Sequence, residues 1–417
     1  MLCTKEAKDT IWLIGLQGVN YLVPLFVWPY LMVALGAEQF GVYSFGIALA
    51  QYLMMLVDFG FNLTASKQIA LAQGDELETN RIFSATMTAK LLLLCLSGII
   101  VAIVSVIPAY TVYRNIVWIT WLMVVGNAFS MFWLFQGLGK IKLISIVNTA
   151  MKLLILPLVF VFVKTPADAN IAAWIQAAVF VGSGIVIVWL TKKLSLAQVV
   201  PIQWKDIKEQ LKSSFSIFLS SAATSTYTAL FVVILAYMVS ADEVGRYSAA
   251  EKIMRSICYL IWMPISQAYF PRASKLGKEN PIEGKRLMRH LTLFIIVALG
   301  FAGIAIAIAA EPLVNLLGKD YTGIGTIAAI LSVVPVLIGI GGIQGQMGLI
   351  AMGGEREKKA FRNVYLMAGV IALVSVCILS YIWGAVGAAI ALVLAEGFVC
   401  VSMCIIEQRR WRTIWHS

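Results

Sequence analysis

Charge is scarce in this 417-residue chain: 13% of its residues are Asp, Glu, Lys or Arg, well below the roughly 25% of an ordinary soluble domain. Hydrophobic residues make up 60% and mean hydropathy is +0.88, more apolar side chain than a soluble core of this length can bury. Histidine is nearly absent. His290 and His416 are the only two, which argues against a histidine metal centre or an imidazole proton relay. The six cysteines (Cys3, Cys95, Cys258, Cys377, Cys400, Cys404) stand in or beside apolar runs without C-x-x-C pairing or metal-ligand spacing. They read as small buried apolar residues, and no metal is expected. Also missing are the short alternating segments of a closed β-barrel, which leaves helices as the means of pairing every backbone polar group in lipid.

What is present is a succession of apolar runs. About 20 apolar residues span roughly 30 Å of hydrocarbon as a helix. Runs of that kind occur at 11–33, 41–65, 84–107, 114–136, 144–163, 170–190, 213–239, 247–269, 291–310, 323–350, 364–382 and 385–406. The expectation is an all-α integral membrane protein of about twelve transmembrane helices. The first run is longer than the core of a cleavable signal and is followed by Glu38, so it reads as a spanning helix and not a leader.

The net charge of +11 raises the question of nucleic acid, and the placement of the basic residues answers it. With loops assigned alternately to two sides, 24 of the 32 Lys and Arg fall on one side. Four fall on the other (Arg114, Lys164, Arg246, Lys319), and four lie within spans. Positive-inside bias predicts both termini in the cytoplasm and an even number of crossings. Topology and contact with anionic lipid account for the basic loops, so no nucleic-acid partner is expected.

The chain also repeats itself. Ala37-Glu38-Gln39-Phe40-Gly41-Val42-Tyr43-Ser44 matches Ala241-Asp242-Glu243-Val244-Gly245-Arg246-Tyr247-Ser248 at an offset of 204, about half the length. Two six-helix lobes in the same orientation follow, 1–190 and 213–406, joined by a basic cytoplasmic linker at 191–212 and followed by a tail at 407–417. Parallel repeats of this kind are related by an axis along the membrane normal, with a central cavity between the lobes.

Seven charges fall inside predicted spans: Asp58, Lys90, Lys152, Glu251, Lys252, Arg255 and Glu396. Each costs about 3 kcal/mol or more if it faces lipid, so a hydrated cavity or tight pairing is implied. Ser248, Lys252, Arg255, Tyr259, Trp262 and Ser266 recur at helical spacing and share one face. The equivalent face in the first half carries Ser44, Gln51, Asp58 and Asn62. Arg255 and Lys252 suit an anionic head group, and Arg is able to grip phosphate with its fork of N–H donors; alternatively Glu251, four residues before Arg255, neutralises it. Lys90 lies about two turns from a cytoplasmic end and is able to snorkel. Lys152 sits deeper, one turn from Asn148. Asp58, Glu251 and Glu396 are the protonatable candidates for coupling to an ion, or else structural partners.

Leu35 to Ser44 (LGAEQFGVYS), Leu56 to Asn62 (LVDFGFN) and Ser66 to Ala70 (SKQIA) resemble the start of polysaccharide biosynthesis flippases. Gly245 to Ser256 (GRYSAAEKIMRS) and Pro264 to Arg272 (PISQAYFPR) resemble the helix-eight region of Wzx-type O-antigen repeat-unit flippases. Those belong to the multidrug/oligosaccharidyl-lipid/polysaccharide exporter superfamily. The resemblance implies translocation of an undecaprenyl-diphosphate-linked oligosaccharide from the cytoplasmic to the periplasmic leaflet of a bacterial inner membrane, by alternating access. It implies a substrate cavity lined by Arg255, Lys252, Lys152, Lys90, Gln51, Asn62, Tyr259 and Trp262, and coupling to H⁺ or Na⁺ through Asp58, Glu396 or Glu251. No other cofactor is expected, and an O-antigen polymerase and a chain-length regulator are the implied protein partners. The family's largely cationic cavity is diluted here, since the spans hold four basic residues against three acids.

Those acids keep open a second reading, a multidrug/toxin cation antiporter of the same superfamily. A lipid II flippase of the MurJ kind is a third, although those usually carry two additional helices. A membrane-embedded enzyme commonly carries a sizeable outer loop or domain, and the outer loops here are all short, so no enzymatic activity is expected.

Overall fold

The computed structural model describes the chain from Lys5 to His416, with side chains from residue 22 to residue 412 apart from 223, 224, 226, 227, 310, 311 and 313–316. The side chains of Cys3 and His416 therefore lie outside the described residues. Between them the chain is helical throughout, joined by short turns and 3₁₀ segments, with no strand among the described residues. In a medium that offers backbone groups no water, this is the outcome that composition demands.

Eight helical stretches among the described residues are long and apolar enough to cross a membrane. Two are too long for one crossing, Leu22–Leu71 with 50 residues and Glu355–Arg412 with 58, against the roughly 20 that suffice. Each is broken by a glycine. Gly36 (φ 68°, ψ 173°) turns the chain inside the first and Gly384 (φ 56°, ψ −133°) inside the last, both in backbone conformations that a side chain disfavours. Expected span 247–269 lies in the helix Ala241–Glu279, which is too polar to count as apolar on composition. Expected span 213–239 is assembled from the helix Trp204–Ser225, a π-helical turn at Thr226–Leu230 and the helix Phe231–Met238. Length and apolarity thus yield eight candidates where the sequence reading counted twelve runs.

Contacts divide the chain into two compact units. The first comprises residues 1–35 and 42–225, the second residues 36–41 and 226–417. The expected lobe boundary at residue 213 falls inside the helix Trp204–Ser225, which packs with the first unit.

In the first unit, small residues let helices approach closely. A Cβ on Gly126 would overlap the backbone at Phe180, and one on Gly184 would lie 2.9 Å from the Gly126 carbonyl oxygen, the small-residue packing typical of membrane helices. The core gathers Phe61, Phe83, Trp133, Leu134 and Phe135. The stretch expected to be a linker is strapped to this unit. The Gln198 N–H donates to Asn80 Oδ1 (2.7 Å), the Val200 N–H to Ser84 Oγ (2.9 Å), and Arg81 Nη2 to Asp206 Oδ1 (2.6 Å). The Arg81 hydrogen bond and the Gln203 N–H hold the Asp206 carboxyl below the ordinary carboxylate range.

In the second unit, Ala37–Gly41 packs against Ala241–Gly245. A Cβ on Gly41 would overlap the Ala241 carbonyl oxygen and a Cβ on Gly245 the Ala37 carbonyl oxygen. Glu243 accepts the Ala385 N–H (3.0 Å) just past the Gly384 break, and Arg246 donates to the Thr322 carbonyl (2.9 Å) while pairing with Asp242. Cys258, Trp262, Ile295, Leu299, Ile343 and Met347 form the core behind this helix.

Candidate functional site

The first unit holds Gln51, Asp58, Asn62, Lys90 and Lys152. Lys90, in the helix Glu76–Val106, is fully buried, and its Nζ lies 3.0 Å from Asp58 Oδ1. It also donates to the Asn127 carbonyl at 3.5 Å. The sequence-based candidates Lys90 and Asp58 are thus brought together, each answering the other's charge.

Lys152 differs. It sits in the last turn of the helix Ile141–Leu153, half-buried, and its ammonium has no hydrogen bond or ion pair among the described residues. It borders two cavities. One, of about 220 Å³, is lined by Asn62, Asn127, Ser130, Asn148 and Ser183. The other, of about 180 Å³, is lined by Trp28, Gln51 and Gln176 among apolar neighbours. Ser183 Oγ donates to Asn148 Oδ1 at 2.6 Å, and the Asn127 side-chain nitrogen is buried without a partner. One cation among amides and hydroxyls can bind an anion and hydrogen-bond sugar hydroxyls. Asn127, Gln176 and Ser183 were not singled out from sequence; amides in otherwise apolar spans were the available signal.

The second unit holds Glu251, Lys252, Arg255, Tyr259, Trp262 and Glu396. Residues 251, 255 and 259 are each four apart, and the helix stacks them: Arg255 Nε donates to Glu251 Oε1 at 2.6 Å and Nη1 to the Tyr259 hydroxyl at 3.4 Å. The neutralising partnership considered from sequence is therefore present. It occupies only part of the guanidinium, because Nη2 is buried without a hydrogen bond. Lys252 lies with its Nζ 5.8 Å from the Phe40 ring centroid, within cation–π reach. Trp262 is 3% exposed and packs on Gly342, where a Cβ would overlap its ring; it is a core residue by placement. Glu396 is buried, with no hydrogen bond or ion pair among the described residues and Arg255 as its electrostatic neighbour. Ser44 and Ser248, equivalent under the repeat, are both fully buried with hydroxyls lacking a partner.

The described residues thus form a polytopic helical membrane fold with buried charges in each unit and no group of three or more His, Cys, Asp or Glu able to hold a metal. Solved structures share the fold. An inward-facing multidrug resistance MATE family transporter of the MOP superfamily superposes with a TM-score of 0.77 at 14% identity, covering 96% of each chain. The lipid II flippase MurJ in its inward closed conformation superposes with a TM-score of 0.75 at 12% identity, covering 95% of this chain and 87% of that one.

Residues 7–277 match the family described as polysaccharide biosynthesis protein, and the chain belongs to that family. Two relatives carry the name "Putative O-antigen transporter". The one from Escherichia coli (strain K12) is 30% identical over 394 residues, 94% of each chain. The one from Shigella dysenteriae is 32% identical over 405 residues, 95% of this chain and 98% of its own. The protein is thus a multi-pass helical membrane protein of the polysaccharide biosynthesis protein family.

Proposed function

We propose that this protein carries an undecaprenyl-diphosphate-linked oligosaccharide, an O-antigen repeat unit, from the cytoplasmic to the periplasmic leaflet of a bacterial inner membrane. The observation that carries the reading is Lys152, a half-buried cation with no carboxylate partner, set among Asn62, Asn127, Asn148, Ser183, Gln51 and Gln176. A cation kept in hydrocarbon surroundings without a counter-ion is costly unless a transient anion completes it. The diphosphate supplies that anion and the amides meet sugar hydroxyls. Arg255, with one nitrogen unengaged, offers a second contact of the same kind. The names of the two relatives support the same substrate class.

In this account the head group leaves the water on the cytoplasmic side, passes along these polar side chains while the polyprenyl tail remains in lipid, and exits on the other side by alternating access. No covalent bond changes. Glu396 is the carboxylate available to couple the step to H⁺ or Na⁺, because Asp58 and Glu251 already have Lys90 and Arg255 as partners. Those same pairings weigh against the cation-antiporter reading, which needs free acids. The O-antigen polymerase and chain-length regulator are the proposed downstream partners.

The test deletes the gene in the source bacterium and follows lipid-linked repeat units by leaflet-selective labelling. Accumulation in the cytoplasmic leaflet, reversed by the wild-type gene and not by Lys152→Gln, supports the reading. Unchanged surface polysaccharide with altered sensitivity to cationic drugs sinks it and favours the antiporter.

A further inference from the structure

Away from those polar clusters, the second unit carries a cavity of about 680 Å³ between the start of the helix Pro281–Leu317, the π-helical segment Ile343–Ala351 and the end of the helix Glu355–His416. Its lining is graded. Lys285, Arg289 and Arg412 stand at one end, Thr292, Gln344 and Gln408 follow, and Leu293 and Ile296 continue inward. The spacing 285, 289, 292/293, 296 keeps these residues on one face of their helix. Leu293 and Ile296 are 62% and 40% exposed, inside a stretch apolar enough to cross a membrane, so the apolar end of the cavity opens toward lipid.

The charges are arranged for an anion. Arg289 and Arg412 have no hydrogen bond or ion pair among the described residues and both are exposed. Lys285 Nζ lies 5.1 Å from the Trp411 ring centroid. The acid in the lining, Glu407, is turned to other work: it accepts from Trp411 Nε1 at 2.6 Å and from Arg410 Nη1 at 3.3 Å. Arg410 in turn donates to the Gly348 carbonyl (2.7 Å) and the Met352 carbonyl, which fixes the wall of the cavity to the π-helical segment. Gln344 donates to Thr292 Oγ1 at 3.2 Å, so the middle of the cavity is already satisfied. Arg289 and Arg412 thus remain, with Lys285 beside them, over a groove that becomes apolar within about 16 Å along the helix, at 1.5 Å per residue from Lys285 to Ile296. An amphiphile with a phosphate head and a hydrocarbon chain has that profile, and basic pockets between membrane helices take such heads.

We propose that this cavity is a binding site for an anionic glycerophospholipid, its phosphate held by Lys285, Arg289 and Arg412 and its acyl chain laid along Leu293 and Ile296. The site is separate from Lys152 and Arg255 and does not depend on what the protein transports. By holding a lipid against Gln344, it would tie the π-helical segment to the surrounding leaflet.

Native mass spectrometry of the full chain in detergent, titrated with phosphatidylglycerol or phosphatidylcholine, tests this. Each basic residue near a headgroup is worth about fivefold in affinity. Phosphatidylglycerol should therefore bind the wild type at least about fivefold more tightly than phosphatidylcholine, and Arg289→Gln with Arg412→Gln should lower that affinity about 25-fold. Arg356→Gln with Lys358→Gln, on a basic turn outside the cavity, should leave it unchanged, which also separates site binding from general attraction. Equal binding of the two lipids, or an equal loss in both double variants, overturns the proposal. A polyprenyl diphosphate that binds the wild type at the same residues while phosphatidylglycerol does not also overturns it, by making the groove a substrate site.

Discussion

Gly41 and Gly245 exclude each other's side chains: a Cβ on either would overlap the carbonyl oxygen four residues before the other, at Ala241 and Ala37. They hold the same place in the two copies of A-[ED]-x-x-G-x-Y-S, so the repeat read from sequence closes on itself as a reciprocal backbone contact.

Neither glycine tolerates enlargement, because the obstacle is main chain and not a movable side chain. Gly41→Val and Gly245→Val should each destabilise the protein by about 1–3 kcal/mol through overpacking, and the double variant should cost less than the sum, since both perturb one contact. Thermal unfolding of the purified variants in detergent gives the three values. Strict additivity would mean that the two glycines do not share a contact.

Lys90 and Asp58 are expected to stand or fall as a pair. Removing Asp58 leaves a fully buried ammonium, so Asp58→Asn should cost about 3–5 kcal/mol, whereas Lys90→Met leaves a carboxylate that is partly exposed and should cost less. Lys90→Met combined with Asp58→Leu should recover most of that loss. Recovery of both stability and transport in the double variant identifies the pair as structural. Recovery of stability without transport assigns one of them to the substrate or ion path.

The strap near Asp206 should loosen in acid. Its carboxyl sits below the ordinary range because Arg81 and the Gln203 N–H hold the charged form. The contribution is therefore present above the unfolded value, about 4, and is lost as pH falls through the lower folded value. Hydrogen exchange at Gln203, corrected for its intrinsic pH dependence, should show constant protection from neutral pH to about 5 and falling protection well below 4. Asp206→Asn should remove the pH dependence. A protection profile that is flat to the lowest pH in the wild type would contradict the role of the carboxylate.

The membrane class and the helical fold were legible because they rest on long patterns, apolar runs of spanning length, and the paired motifs around Gly41 and Gly245 were legible from five matching positions in eight at one offset. Helix-local relations were legible too, since Glu251 and Arg255 lie four apart and no tertiary knowledge is needed to bring them together. What sequence left open was long-range pairing. Nothing in a single chain says that Lys90 reaches Asp58 across 32 positions, and Trp262 shares a helix face with Arg255 yet is claimed by Gly342 as core. The breaks at Gly36 and Gly384 were equally hidden, because a glycine in an apolar run is silent until its φ is known.

The most direct measurement reconstitutes the purified chain in vesicles and follows passage of an undecaprenyl-diphosphate-linked oligosaccharide between leaflets. Wild-type protein should carry it, and Lys152→Gln should slow the step at least about tenfold, the loss of roughly 1.4 kcal/mol from one charge-assisted contact, while melting at the wild-type temperature. Undiminished passage through Lys152→Gln, or no passage through the wild type, would contradict the account.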